Sequence, residues 1–180
     1  MRYHSKVFQQ WGGSMEESAF KTKVDLCRKR ELPDLIHNSA RQHAKYLIEQ
    51  LLDVAAEKHE DVRLISGELR DDFYGDLVSL FEAVKSKGAN VEILVLNNIP
   101  VEKNSLASWA KKQNALFRPR DCREPITAPH MLLVGERGHR FRLETDHAQA
   151  KAVASFNNPF MGEMLLSIYD QAKAQAALAA

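Results

Sequence analysis

Among the chain's seven histidines, His130 is the best placed to do chemistry. It follows Pro129 and leads straight into the apolar run Met131-Leu132-Leu133-Val134. Its imidazole therefore stands at the mouth of a buried strand. Further on, Arg140, Arg142 and Glu144 alternate with Phe141 and Leu143. That alternation puts the three charged groups on one face of a second strand. Asp146 and His147 end this stretch, and Ser155 and Asn157 stand just ahead of Asn158-Pro159. Guanidinium, carboxylate and imidazole together can hold an oxyanion or relay a proton. The plainer alternative stays open: a solvated strand face with cross-strand ion pairs, beside a boundary histidine. His139 and His147 lie outside any zinc-motif spacing, so neither metal nor cofactor is expected.

These residues need elements to position them. Gly135-Glu136-Arg137-Gly138 predicts a hairpin turn between the strand after His130 and a return strand over residues 139–145. Ala40, Ala44, Leu47, Ile48, Leu51, Leu52 and Ala55 recur at helical steps and predict a long helix from Ser39 to about Glu60, capped by Asn38 or Ser39. His43 lies one residue off that stripe and is assigned no role. The run at 61–67 predicts a buried strand closing on Ser66-Gly67. A helix over 73–86 follows, with Gly88 at its C-terminal cap and a strand over 91–96 beyond. Strand, helix and strand at this spacing predict a right-handed βαβ unit.

A further helix is expected from Asn104 or Ser105 to about Gln113, and a short strand near Leu116 cut off by Pro119. Arg118, Arg120 and Arg123 are placed in the loop beyond that strand. Residues 148–154 read as helical or irregular. A last helix starts at Asn158-Pro159 with Met161, Met164, Leu165 and Ile168 inward, followed by an Ala-rich fraying tail. At the N-terminus, Trp11-Gly12-Gly13-Ser14 predicts a turn, with Ser14 capping a short helix. The cluster Cys27-Arg28-Lys29-Arg30 reads as a solvated face. The expected organisation is an N-terminal arm over 1–38, an α/β domain over 39–172 and a tail over 173–180. The fold class is α/β, a mixed and largely parallel sheet with helices on both faces. Ligands of such sheets bind at the carboxyl ends of the strands, where Ser66-Gly67-Glu68 and Asn97-Asn98 fall.

Composition narrows the function classes. At 180 residues the chain can build one domain with a real core, and 44% apolar and 27% charged residues are ordinary for a globular protein. The formal net charge of +1 supplies no global field for DNA or an anionic membrane, though a local basic patch remains allowed. No apolar run approaches the roughly 20 residues of a membrane span, and no signal-peptide pattern follows the first residues. A cytoplasmic location is expected. Cys27 and Cys122 are far apart and read as free thiols.

The order of elements resembles the phospholipase D-like phosphodiesterase fold, in particular its small single-domain bacterial members. The resemblance covers about residues 40–172. It rests on the long first helix, on Leu64-Ile65-Ser66-Gly67 and the helix after it, on Lys87-Gly88-Ala89-Asn90-Val91-Glu92-Ile93-Leu94-Val95, on the His130 strand pair and on Ala154-Ser155-Phe156-Asn157. Active members carry H-x-K-x-x-x-x-D and then a Gly-Ser-x-Asn-like segment. There the histidine attacks phosphorus and the lysine holds a phosphoryl oxygen.

His130 falls on the histidine, Leu132 on the lysine, Arg137 on the aspartate, and Ser155 and Asn157 on the serine and asparagine. Loss of the lysine removes transition-state stabilisation of about 3–4 kcal/mol, the scale of one oxyanion donor. The resemblance thus implies a catalytically degenerate domain that binds nucleic acid, a phosphorylated ligand or a protein partner. It also implies a homodimer, because a single-motif chain needs a second copy to complete a two-motif site. The pocket residues expected are His130, Arg140, Arg142, Glu144, Ser155 and Asn157. Two rivals stand beside this: an active phosphodiesterase or nuclease in which Arg140 or Arg142 replaces the lysine, and a scaffold protein with a vestigial pocket.

Overall fold

The computed structural model describes residues 6–118, 126–147 and 151–178, with side chains described from residue 16 to 176 within those spans. Eight strands form one sheet in the order β1-β7-β6-β5-β2-β3-β4-β8. In chain order they are β1 (Ile36–Asn38), β2 (Val62–Ser66), β3 (Val91–Val95), β4 (Leu116–Arg118), β5 (Met131–Val134), β6 (Arg140–Asp146), β7 (Lys151–Ser155) and β8 (Ala177–Leu178). The helices are α1 (Lys6–Arg30), α2 (Arg41–Lys58), α3 (Asp71–Tyr74), α4 (Val78–Ser86), α5 (Ser105–Lys112) and α6 (Pro159–Ala174).

The sheet is mixed, as expected, but it is mostly antiparallel. Among the described residues only β2–β3 and β3–β4 run parallel. The parallel unit read from residues 61–96 is present, and the extrapolation from it to the whole sheet is corrected. Hairpins and short returns bring β5, β6, β7 and β1 in antiparallel.

The period-2 pattern divides the sheet's side chains between two cores. Leu64, Ile93, Leu132 and Ala154 face a cluster that takes in Leu47, Leu51, Phe81 and Leu106 of α2, α4 and α5. Ile65, Leu94, Leu133 and Phe141 face the other side, where α6 supplies Leu165, Tyr169 and Ala172. Helices therefore cover both faces. Tyr169 donates to Glu92 at 3.1 Å, tying α6 to β3.

Several local expectations are corrected. Helix α1 runs unbroken for 25 residues through Gly12 and Gly13, where a turn was expected. Its later part packs on α2. Val24 and Cys27 join the core, Phe20 stacks on His43 at 3.9 Å, and Arg28 pairs with Glu57 at 2.5 Å and with Asp53 at 3.5 Å. Arg28 of the basic cluster is thus part of a helix–helix seam. Cys27 is a buried free thiol; Cys122, Arg120 and Arg123 lie outside the described residues.

Helix α2 begins after Ala40 with no side-chain cap, because Asn38 is taken up in β1 beside β7. The helix expected over 73–86 is broken into α3, a 3-10 turn at Gly75–Leu77 and α4. Lys151–Ser155, read as helical or irregular, is a strand, since its small residues let β7 lie flat between β6 and β1. Asn104 and Asn158 cap α5 and α6 through their side chains, at 2.8 and 3.1 Å. The inward face of α6 is Gly162, Leu165, Tyr169 and Ala172, whereas Met164 and Ile168 are exposed. Gly162 lies there because the turn backbone at Gly138 leaves no room for a Cβ. Of the expected tail, Lys173 and Ala174 end α6, and Ala177–Leu178 pair with β4 as β8.

Candidate functional site

A pocket of about 170 Å³ opens at the carboxyl end of β2, bounded by Arg41, Ala44, Ser66, Glu68, Arg70, Phe73, Tyr74, His130, Arg142, Glu144 and His147. The crossover from β2 to α3 turns away here, and the β5–β6 pair brings His130 and Glu144 to the same end. The Glu144 N–H donates to the His130 carbonyl at 2.9 Å, so these two residues lie side by side on adjacent strands.

The two nitrogens of His130 have different tasks. The Gly67 N–H donates to Nε2 at 3.0 Å. Nε2 must therefore be the unprotonated nitrogen, which leaves the proton of the neutral ring on Nδ1, 3.7 Å from Glu144 Oε2. Gly67 permits this approach because a Cβ at that position would stand 2.8 Å from Nε2. On the other side Glu144 Oε1 lies 2.6 Å from His147 Nδ1, and the two imidazoles meet edge to face with centroids 4.7 Å apart. Burial pushes the Glu144 carboxyl up. The hydrogen bonds of His130 and His147 and the charge of Arg142 outweigh it and hold the carboxyl at about 2.

His130, Glu144 and His147 each offer a ligand atom, all within 4.8 Å of one another, and two histidines with a carboxylate are a metal-binding type of donor set. The hydrogen bonding does not fit that use. A neutral histidine bound to a metal through Nδ1 carries its proton on Nε2 and donates it outward. Here Nε2 faces a donor, the Gly67 N–H. The trio is a polar relay in which Gly67 holds His130 in one tautomer with Nδ1 3.7 Å from Glu144, and Glu144 is hydrogen-bonded to His147 at 2.6 Å.

Arg142 forms the inner wall. Its side chain is 6% exposed, it approaches Glu144 Oε2 at 3.8 Å, and its Nε–H has no hydrogen-bond partner among the described residues. Burial pulls the guanidinium pKa down, against the opposing influence of Tyr74 and Glu144, and arginine nonetheless stays charged. Burial also raises the Tyr74 phenol, partly offset by its hydrogen bond with Ser66 and by Arg142. At the rim, Arg41 and Arg70 both pair with Asp72, at 2.8 and 3.0 Å.

Of the six residues expected at the pocket, His130, Arg142 and Glu144 are brought together. Arg140 shares their strand face but points into a different group at the far end of the sheet. It pairs with Glu60 at 2.6 Å and Glu31 at 3.3 Å and joins β6 to the ends of α1 and α2. Ser155 and Asn157 also belong to that far end. Ser155 pairs in register with Phe141, three positions before Glu144 on β6, and its hydroxyl accepts from the Asn157 N–H in a local turn at 3.4 Å. The return strand delivers Glu144 and His147 to His130, and the next strand carries Ser155 away. Arg137 pairs with Glu163 on the surface. Leu132 is buried and stands directly opposite Arg142 in the β5–β6 register.

Arg41, Arg70, Phe73 and Tyr74 were not singled out from sequence. They reach the pocket from α2, the β2–α3 turn and α3, and only the amphipathic phase of α2 and the glycine at 67 hint at that meeting.

Among the described residues no helix is long and apolar enough to cross a membrane. No protein-family model matches the chain, and no curated protein matches it. Its fold is similar to that of TrmBL2, an archaeal chromatin protein whose structure shows a novel mode of DNA binding. The TM-score is 0.61 at 12% identity, over 97% of this chain and 67% of that one, which makes the likeness one of fold.

Proposed function

We propose that the chain is a non-hydrolytic binding module, a degenerate phospholipase D-like domain whose pocket receives an oxyanion. Nucleic-acid phosphate, a phosphorylated ligand and a protein carboxylate all present that group. The state of His130 carries this reading. Attack on phosphorus needs a free ring lone pair, and the Nε2 lone pair is engaged by the Gly67 N–H at 3.0 Å while Nδ1 faces Glu144. Leu132 occupies the position of the family's lysine, and the nearest equivalent charge is Arg142 across the strand pair. A guanidinium there can hold an anion without a nucleophile to act on it. A nucleic-acid partner draws support from the DNA binding named for TrmBL2. A homodimer belongs to the same proposal, with sedimentation analysis as its check.

The rival is an active phosphodiesterase, favoured by Arg142 standing opposite Leu132. Incubation with bis(p-nitrophenyl) phosphate and with DNA, with and without chelator, separates the two. The binding module shows no turnover. Turnover that vanishes in His130→Ala establishes the rival.

A further inference from the structure

Which oxyanion the pocket takes follows from three features of its wall. The first is charge. Arg41 and Arg70 are both committed to Asp72, and the remaining cation, Arg142, is matched only by Glu144 at 3.8 Å, a carboxylate shared with His147 and His130. With neutral histidines, the three arginines are balanced by Glu68, Glu144 and the Asp72 that the two rim arginines share. A bound monoanion therefore adds one uncompensated charge and a dianion two, which makes the dianion the poorer fit in a partly desolvated site.

The second feature is Arg142 itself. A buried guanidinium with an unpartnered Nε–H is under-satisfied, and such groups in folded proteins call for a missing partner. The third is the opposite wall, where Phe73, Tyr74 and Ala44 offer apolar surface. Phe73 and Tyr74 meet edge to face at 4.9 Å, and Arg41 caps the Phe73 ring at 5.5 Å, so this wall is held in place. At about 170 Å³ the space admits a small group.

We propose that the pocket is a receptor site for a small organic monoanion, a carboxylate held by Arg142 with its apolar body against Phe73 and Tyr74. This rests on the non-hydrolytic reading above and names the ligand class of the same site. A planar carboxylate matches the guanidinium fork, and the aromatic wall selects against bare inorganic anions.

The test uses the full chain with benzoate, acetate and dimethyl phosphate as probes, followed by the Arg142 Nε–H resonance and by calorimetry. Benzoate is expected to shift that resonance saturably and to bind more tightly than acetate. Arg142→Lys, which keeps the charge but not the fork, should weaken benzoate by about tenfold or more. Phe73→Ala should weaken benzoate about fivefold and leave acetate unchanged. The wild-type titration and Phe73→Ala decide the matter even if Arg142→Lys folds poorly. Benzoate that leaves the Arg142 resonance unmoved, or binds equally to Arg142→Lys, overturns the proposal. Dimethyl phosphate binding in place of benzoate overturns it too, and spares the binding-module reading. Turnover of bis(p-nitrophenyl) phosphate defeats that reading and leaves the benzoate result to stand separately.

Discussion

Removing the charge of Glu144 isolates the electrostatics of the pocket. In the folded chain its carboxyl is held at about 2 against an ordinary 4.5. At about 1.4 kcal/mol for each tenfold in proton affinity, the full drop corresponds to about 3.4 kcal/mol. The side chain keeps 14% of its exposure and its outer partner His147 is largely in solvent, so screening reduces this to about 2 kcal/mol. The folded-state pKa is depressed, so the stabilisation is complete above about pH 4.5 and is lost as the pH falls toward 2. Urea unfolding of the wild type and Glu144→Gln, from pH 7 down to pH 2.5, reads it directly. At pH 7 the variant should be less stable by about 2 kcal/mol, because Arg142 then lacks its counter-charge. The gap should narrow steadily below pH 4.5. A gap that is constant from pH 7 to pH 2.5 would refute the assignment of Glu144 as the carboxylate that pairs the relay.

Two further outcomes follow from the same geometry. Gly67→Ala places a Cβ 2.8 Å from His130 Nε2, so the ring must shift; nitrogen NMR should show His130 losing its fixed Nδ1–H tautomer, with about 1 kcal/mol of stability lost with the hydrogen bond. Arg140→Ala leaves the part-exposed Glu60 without its partner at 2.6 Å and should cost about 1.5–3 kcal/mol in urea unfolding, the scale of a hydrogen bond to a charged group, while the pocket end of β6 keeps its anion affinity.

Much of the fold was legible because its signals are local. The α2 stripe, the βαβ unit with Gly88 at φ +88, the Asn104 and Asn158 caps and the His130 hairpin all depend on residues within a few positions of one another. Helix α1 runs through Gly12-Gly13, although each glycine normally weakens a helix by about 1 kcal/mol, and nothing in the structure explains it. In the other misread segments packing outweighs propensity. Lys151–Ser155 has little strand propensity of its own and is a strand because β6 and β1 hydrogen-bond to it on both sides. On α6 the apolar residues span more than one face, and only the close approach of Gly162 to Gly138 selects the buried one.

The candidate site divides in the same way. Alternation along β6 was enough to place Arg140, Arg142 and Glu144 on one face, and the position of His130 before a buried strand was enough to mark it. Which of those charges share a pocket depends on strand direction and on the distance along the strand. Because β6 returns toward His130, Glu144 and His147 reach it. Because β7 then leaves again, Ser155 and Asn157 do not. Arg140, two residues from Arg142, ends in a different ion-pair network at the far end of the sheet. The residue types were set by the sequence. The tautomer of His130, the unmatched guanidinium and the aromatic wall exist only where β2, α2, α3, β5 and β6 converge, since each depends on a contact between residues far apart in the chain.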